Sequence, residues 1–543
     1  MSTTEKPASN QINLVINTAS RRAGPVNLRE VAVLLNPGDD VAIARLTLTP
    51  GLVVRLPDDA TEGGKLLEVN QLIQPGHKLA LREVAEGRPV RRYGSLIGYA
   101  TQPIKAGSHV HSHNLAVGNL NQEYNYCVDY SPVELVSPEL RQTFMGYKRP
   151  DGKAATRNYI AVIGTVNCSA STIRFIQNKF GPEIMRDYPN IDGVIGLTHK
   201  SGCGMRHGGE AVEQLQRTLA GMAAHANVGA YLLVGLGCET NQVREMIESM
   251  GLTSGGSWKK PNFMTIQENH GVQGVVEEAT RLLGGLLPEV NDVKREPIPI
   301  SEIVLALQCG GSDGMSGVTA NPSLGFAVDE LVRQGGTAVL SETPEIYGAE
   351  QILIRRAKSR EVADQLLERF EWWKKYTAMN GMEMDNNPSP GNKLGGLTTI
   401  YEKSLGAVAK GGSTPMNAVY KYAHQITERG LVVMDTPGYD PVSATGQVAG
   451  GANMIVFTTG RGSAFGYKPA PSIKVSTNNT LYENMPGDMD VNAGEVLNGV
   501  STQEIGRQIL AEVIAVASGK ASKSEAQGIG EEEFCPWILG ATM

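Results

Sequence analysis

The stretch 305-LALQCGGSDG-314 decides how the rest of the chain is read. An apolar run ends in Gln308 and Cys309, and two glycines, a serine and an aspartate follow. Packing is one explanation, since cysteine is a small buried residue and glycine makes tight turns at little steric cost. The other is that a buried strand delivers a thiol and a carboxylate to the floor of an active site.

The same pattern repeats on either side. Apolar runs at 159-YIAVIGT-165, 194-VIGLT-198, 231-YLLVGLG-237, 303-IVLALQ-308, 338-AVL-340, 431-LVVMD-435 and 454-MIVFTT-459 each end in a small or polar cluster. Several lead on to amphipathic helical patterns such as 361-EVADQLLERFEWWKKYTAMN-380. Buried parallel strands alternating with helices give this signature, so an α/β region with a Rossmann-like parallel sheet is expected. Ligands of such sheets bind beyond the carboxyl ends of the strands.

Read there, the chain offers 166-VNCSAS-171, 199-HKSGCG-204, 237-GCET-240, 308-QCGGSDG-314, 341-SETPE-345, 435-DTPGYD-440 and 459-TGRGSAFG-466. Four of the six cysteines, Cys168, Cys203, Cys238 and Cys309, fall at or just beyond strand ends. With His199, Glu239, Asp313 and Glu342 they form a thiolate, imidazole and carboxylate set suited to iron, manganese or zinc. No CxxC is present, which argues against a zinc ribbon or a thioredoxin-like pair. No GxGxxG follows a first strand and no GxxxxGK[ST] occurs, so no nucleotide cofactor is expected.

A second glycine-rich block, 386-NNPSPGNKLGGLTTIYEKSLGAVAKGG-412, reads as a rigid exposed loop before a helix. It carries Lys393 and Lys403, whose side chains can clamp a carboxylate or exchange a proton once burial shifts their pKa.

Composition excludes several classes. The chain has 543 residues, 41% hydrophobic, with a net charge of -7, which suits a soluble multidomain protein and not a nucleic-acid binder. No apolar run is long enough to span a bilayer, and MSTTEKPASNQ does not read as a signal peptide. A cytoplasmic protein without a disulfide framework is expected. The N-terminal region reads differently, as short strands (30-EVAVLLN-36, 41-VAIARLTL-48, 52-LVVRLP-57) separated by turns such as 37-PGDD-40 and 62-EGG-64. It holds His77, His109, His111 and His113, with His111 and His113 expected to alternate on one face of a strand. The expected organisation is an extension (1–27), a β domain (28–115), a linker (116–145), a middle α/β domain (146–298) and a C-terminal α/β domain (299–543).

The motifs 75-PGHKLAL-81, 92-RYGSLIGYA-100, 154-AATRNYIAV-162, 235-GLGCE-239, 308-QCGGSDGMSGVTANP-322, 386-NNPSPGNKLGGLTT-399 and 457-FTTGRGSAFG-466 together resemble the altronate and galactarate dehydratases, sugar-acid hydro-lyases. The resemblance implies an N-terminal β-clip (SAF) module, a flexible connection, a middle dimerisation domain, hence a homodimer, and a C-terminal Rossmann-like catalytic domain. It also implies a divalent metal, Fe2+ or else Mn2+. The stretches 340-LSETPEIYGAEQIL-353 and 109-HVHSHN-114 look like the altronate branch, with galactarate as the alternative.

Dehydrating a 2,3-dihydroxy acid removes the C2 proton, stabilises the resulting enediolate and expels the C3 hydroxyl. A Lewis acid and a proton carrier are therefore needed. The resemblance draws His77, within GHK, into the catalytic set, and His199, Lys393 and Lys403 are the other expected catalytic residues. Arg157, Lys393 and Arg461 are expected to hold the substrate carboxylate. Asn158, Ser312, Asp313, Thr319 and Asn321 are expected near the polyol. Two other chemistries stay open, a sulfo-lyase expelling sulfite and an iron–sulfur dehydratase using three of the four cysteines.

Overall fold

The computed structural model describes residues 18–19, 24–58, 65–118, 123–252 and 259–543. Two compact units emerge, Met1–Gly118 with Gly395–Thr399, and Asn119–Leu394 with Ile400–Met543. Most of the expected N-terminal extension and the 62-EGG-64 turn lie outside the described residues.

The first unit is a set of short, mostly antiparallel sheets, including the four-stranded order His109–Val110, Lys78–Ala80, Val41–Ala44, Ala32–Val33. The strand expected over 30–36 opens instead as a helical turn, Leu28–Val31, before Ala32–Val33 extends. Leu28 and Val31 are three apart, and both are buried in the module's core, as one face of a turn allows. The expected alternation of His111 and His113 also fails. The strand stops at Val110, because Asn114 turns the chain by accepting the His111 amide and donating to His109 O. Residues 395–399 complete this unit, where the buried Lys78 ammonium donates to Gly396 O at 2.6 Å.

In the second unit the expected linker is anchored from residue 123 onward. Tyr124 Oη donates to Glu350 Oε1, the Cys127 amide to Ile354 O and the Val136 amide to Arg333 O. A four-stranded parallel sheet follows in the order Gly193–Leu197, Tyr159–Gly164, Val228–Gly235, Asn262–Thr265. The C-terminal sheet has seven parallel strands in the order Met416–Tyr420, Gly430–Met434, Thr337–Leu340, Val304–Cys309, Met454–Thr459, Ser472–Ser476, Val491–Asn492. Its central strands are buried on both faces, which is why their sequences are almost continuously apolar.

The two sheets share one core through crossing helices, Glu210–Ala224 and Asp440–Ala449. Their close approach requires Gly221, where an added Cβ would lie 2.2 Å from Ala449 O. The chain runs from Val304–Cys309 to neighbours on one side, then crosses to Met454–Thr459 on the other. The carboxyl end of that strand, at Cys309, is therefore the sheet's switch point, where such sheets bind ligands. Among the described residues, no helix is long and apolar enough to cross a membrane.

Candidate metal and catalytic centre

Cys309 is the last residue of its strand, and its thiol lies 3.5 Å from Glu345 Oε2 and 3.8 Å from Glu342 Oε2. Both glutamates follow the neighbouring strand Thr337–Leu340, Glu345 closing the short 3-10 turn Thr343–Glu345. Glu342 adopts the left-handed conformation (φ 64°, ψ 59°), a strained choice for a non-glycine residue. Two bonds hold it there. Its amide donates to Thr436 Oγ1 at 2.9 Å, and Thr343 Oγ1 donates to Asp435 Oδ1 at 2.6 Å.

Two lysines close the cluster from the far side. Lys403, on the helix Ile400–Val408, donates to Glu345 Oε1 at 2.7 Å and to Asn387 Oδ1 at 2.6 Å. Lys410, in the turn Ala409–Gly411, stands 2.7 Å from Cys309 Sγ and 3.2 Å from Glu342 Oε2. Beneath, the Gln308 side-chain amide ties Ser341, Ser443 and Gln447 into one buried network. The glycines after Cys309 have a steric reason, for a Cβ on Gly310 would lie 2.4 Å from Asp440 Oδ2.

The electrostatics follow from burial. Loss of water, opposed by the Lys410 ammonium, pushes the Cys309 thiol up to about 12. Burial and then the Glu345 charge push Glu342 up to about 8 and Asp440 to about 6. Burial also works against both ammonium groups, but the thiol and carboxylates around them outweigh it and hold both lysines above their ordinary value. The site thus crowds acids that do not all ionise together.

A divalent cation fits this donor set. Cys309, Glu342 and Glu345 each offer one ligand atom, all within 4.8 Å of one another, and all three residues are buried. Glu342 Oε1 is buried without a hydrogen-bond partner among the described residues, a cost that a cation would relieve. One thiolate and two carboxylates suit iron, manganese or zinc.

Of the residues expected from sequence, Cys309, Glu342 and Lys403 come together here, although Lys403 is buried in a helix and not on an exposed loop. Glu345, Lys410 and Asp440 were not singled out. Lys393 is half-buried on the short helix Pro390–Leu394, and Arg461 is exposed just past the strand Met454–Thr459. The Ser312 carbonyl accepts from Asn392 Nδ2.

Other expected site residues are occupied by the scaffold. Asp313 caps its own loop, accepting from the Met315 amide, Ser316 Oγ, Thr477 Oγ1 and Asn478 Nδ2. Thr319 donates to Met315 O and Thr477 O, and Asn321 bridges Gly406 O and Thr458 Oγ1. Arg157 and Asn158 precede the strand Tyr159–Gly164 and so sit at the amino end of the middle sheet, not beyond a carboxyl end. Arg157 directs all its donors to Glu525, Thr156 O, Val516 O and Lys520 O, which leaves none for a substrate carboxylate. Asn158 Nδ2 donates to Asn190 O and Val290 O.

Both ring nitrogens of His199 are bonded within the scaffold. Nε2 pairs with Gly164 O at 2.9 Å and Nδ1 accepts the Ser201 amide at 3.2 Å, and burial lowers its pKa to about 4. Glu239 folds back on its own loop, accepting from Thr165 Oγ1 and the Leu236 and Gly237 amides. Cys168, Cys203 and Cys238 are exposed and do not join Cys309's group. In the first unit, His77 Nδ1 lies 2.9 Å from His109 Nε2, and the ring centroids of His77 and His111 are 5.1 Å apart.

Comparison with known proteins agrees with this architecture. Residues 30–118 match a family model described as the altronate/galactarate dehydratase SAF domain. Residues 146–291 match the D-galactarate dehydratase/altronate hydrolase second domain, and 300–542 the D-galactarate/altronate dehydratase C-terminal domain. The chain belongs to the altronate/galactarate dehydratase family. It is 36% identical to an altronate dehydratase of Bacillus subtilis (strain 168), over 85% of this chain and 91% of the relative. Identity to the Escherichia coli (strain K12) altronate dehydratase is 34% over 90% of this chain and 95% of that one. Identity to the galactarate dehydratase (L-threo-forming) of Escherichia coli (strain K12) is 36%, over 84% and 88%. The β-clip module, the parallel sheets and the hydro-lyase class expected from sequence are thereby established.

Proposed function

We propose that the chain dehydrates D-altronate to 2-dehydro-3-deoxy-D-gluconate, with Cys309, Glu342 and Glu345 holding a divalent metal, Fe2+ by preference. The observation that carries this reading is the buried thiol and carboxylate group with its unpartnered Glu342 oxygen, set at the sheet's switch point between two ammonium groups. Bound there, the metal supplies Lewis acidity toward a substrate oxygen.

The protein's own groups account for the rest. Lys403 faces two acceptors and is an ammonium, so its role is to donate a proton to the departing C3 hydroxyl. Lys410 holds positive charge against Cys309 and Glu342, which keeps the acids of the cluster from repelling an enediolate. Arg461 and Lys393 remain as carboxylate clamps, and His77 as the base for the C2 proton. The balance is one proton lost from C2, hydroxide lost from C3 as water, and tautomerisation of the enol to the 2-keto acid. The reading extends to a cytoplasmic homodimer. Galactarate is the second substrate reading, favoured by an identity to the galactarate enzyme as high as to the Bacillus altronate dehydratase.

The test is anaerobic turnover against a panel of aldonates, aldarates and a sulfonated hydroxy acid, with and without ferrous iron. Iron-dependent 2-keto-3-deoxy acid formation, fastest with altronate, is the expected result. Release of sulfite in place of water, or no turnover of any sugar acid, overturns it.

A further inference from the structure

The middle sheet presents a second constellation that the dehydratase centre does not use. Cys168, Cys203 and Cys238 each follow the carboxyl end of one of three adjacent strands, Tyr159–Gly164, Gly193–Leu197 and Val228–Gly235. The chain passes from the first of these to the second on one side and then to the third on the other, so the cysteines flank a switch point, where α/β sheets bind ligands.

Their three loops are fastened to one another. The Asn167 amide donates to Ser201 O and Asn167 Nδ2 to His199 O, each at 3.0 Å. The Asn241 amide donates to Gly202 O and Asn241 Nδ2 to Thr165 O, again at 3.0 Å. Gly202 makes this contact feasible, since at φ 101° an added Cβ would fall 2.3 Å from Thr165 O. His199, with both ring nitrogens bonded, fixes the loop that carries Cys203.

All three thiols are exposed, whereas free cysteines rank among the most buried side chains. Packing therefore does not explain them. A single ion does not either. Among the described residues, the group with three ligand atoms inside 4.8 Å of one another is that of Cys309, so the three middle-domain thiols are spread more widely than one ion's ligands. A cubane cluster differs in this respect, because each thiolate binds a different iron. Gln267 Nε2 donates to Cys238 Sγ at 3.5 Å, the kind of hydrogen bond to a ligand sulfur that tunes such clusters.

We infer that Cys168, Cys203 and Cys238 together ligate a [4Fe–4S] cluster, leaving one iron without a protein thiolate and open to a small oxygen ligand. Ligation forms three iron–sulfur bonds and releases three thiol protons. The inference is independent of the metal assigned to Cys309.

The experiment uses the full chain, purified without oxygen and reconstituted with ferric iron, sulfide and a thiol reductant. Iron, acid-labile sulfide and zinc are counted, and paramagnetic resonance is recorded after reduction. About four irons and four sulfides per chain are expected. The triple variant C168S/C203S/C238S should lose at least tenfold of both while keeping the wild-type apoprotein's melting temperature. Cys309→Ser should keep the sulfide content. Reconstituted wild-type protein without sulfide, zinc bound in place of iron and sulfide, or a triple variant with undiminished sulfide would each overturn the assignment.

Discussion

Replacing Lys403 by methionine isolates the charge balance on which the C-terminal centre depends. Its ammonium is 2.7 Å from Glu345 Oε1, with side-chain exposures of only 7% and 3%. Breaking a buried pair from one side leaves the other charge uncompensated, at a cost of about 3–5 kcal/mol. For a domain of roughly 150–250 residues each kcal/mol moves the midpoint by about 2–4 °C, so Lys403→Met should lower the metal-free transition by on the order of 10 °C. The double variant K403M/E345Q removes both charges and should recover most of that loss, since no uncompensated charge is left buried. Ferrous iron should also shrink the single variant's deficit, because a cation beside Glu345 replaces the missing ammonium. Scanning calorimetry of the wild type and both variants, with and without iron, measures all three effects. A single-variant shift below about 2 °C, or a double variant as unstable as the single, would refute the reasoning.

Chelation should abolish turnover, ferrous or manganous ion should restore it, and both Cys309→Ser and Glu342→Gln should lower the iron retained after anaerobic gel filtration. Undiminished iron in both variants would move these residues out of the metal site. Lys393→Ala and His77→Ala should each slow turnover by about 10²–10⁴-fold if they handle the carboxylate and the C2 proton. A loss of activity matched by a loss of melting temperature would mean scaffolding instead. Point variants are preferred to removal of the β-clip module, because Gly395–Thr399 belongs to that unit and would lose its partners. His225, fully buried with Nε2 on Ala452 O and Nδ1 on the Asn227 amide, has its pKa lowered to about 3 by burial. The unfolded chain takes up that proton below pH 6.5 and the folded chain does not. Stability from this residue is thus complete above pH 6.5 and falls as pH drops toward 3, by about 1.4 kcal/mol per unit. His225→Gln should flatten the wild-type pH dependence by that slope in denaturant titrations, and identical slopes would contradict it.

The central strands of both parallel sheets were legible because each is buried on two faces and therefore reads as an unbroken apolar run. The runs at 159–165, 303–308 and 454–459 became Tyr159–Gly164, Val304–Cys309 and Met454–Thr459, within two residues at every end. The strand Ser472–Ser476 was missed because its sequence, SIKVS, alternates polar and apolar residues although every position is buried. Met416–Tyr420 was missed for the opposite reason. It is an edge strand, half-exposed along most of its length.

The centre itself was only partly legible, and the reason lies in how its charges pair. Glu345 and Lys403 are 58 residues apart, and Glu342 and Lys410 are 68 apart. Strand-end reading collects the acids, which follow a sheet, but not the lysines, which arrive on a later helix and turn. Yet a signal was present in 404-SLGAVAKGG-412, where one lysine stands in a run of small and apolar residues. Such a run has no polar face to carry an ammonium into water, so Lys410 must be buried, and a buried ammonium needs an anion. The two acids of 341-SETPE-345 are the complement, three residues apart in a turn and unable to be neutralised by one lysine. Two buried ammonium groups stand against two glutamates, the Asp440 carboxyl and the Cys309 thiol, so acidic groups outnumber cations around Cys309, and that excess of ligands marks the place for a divalent metal.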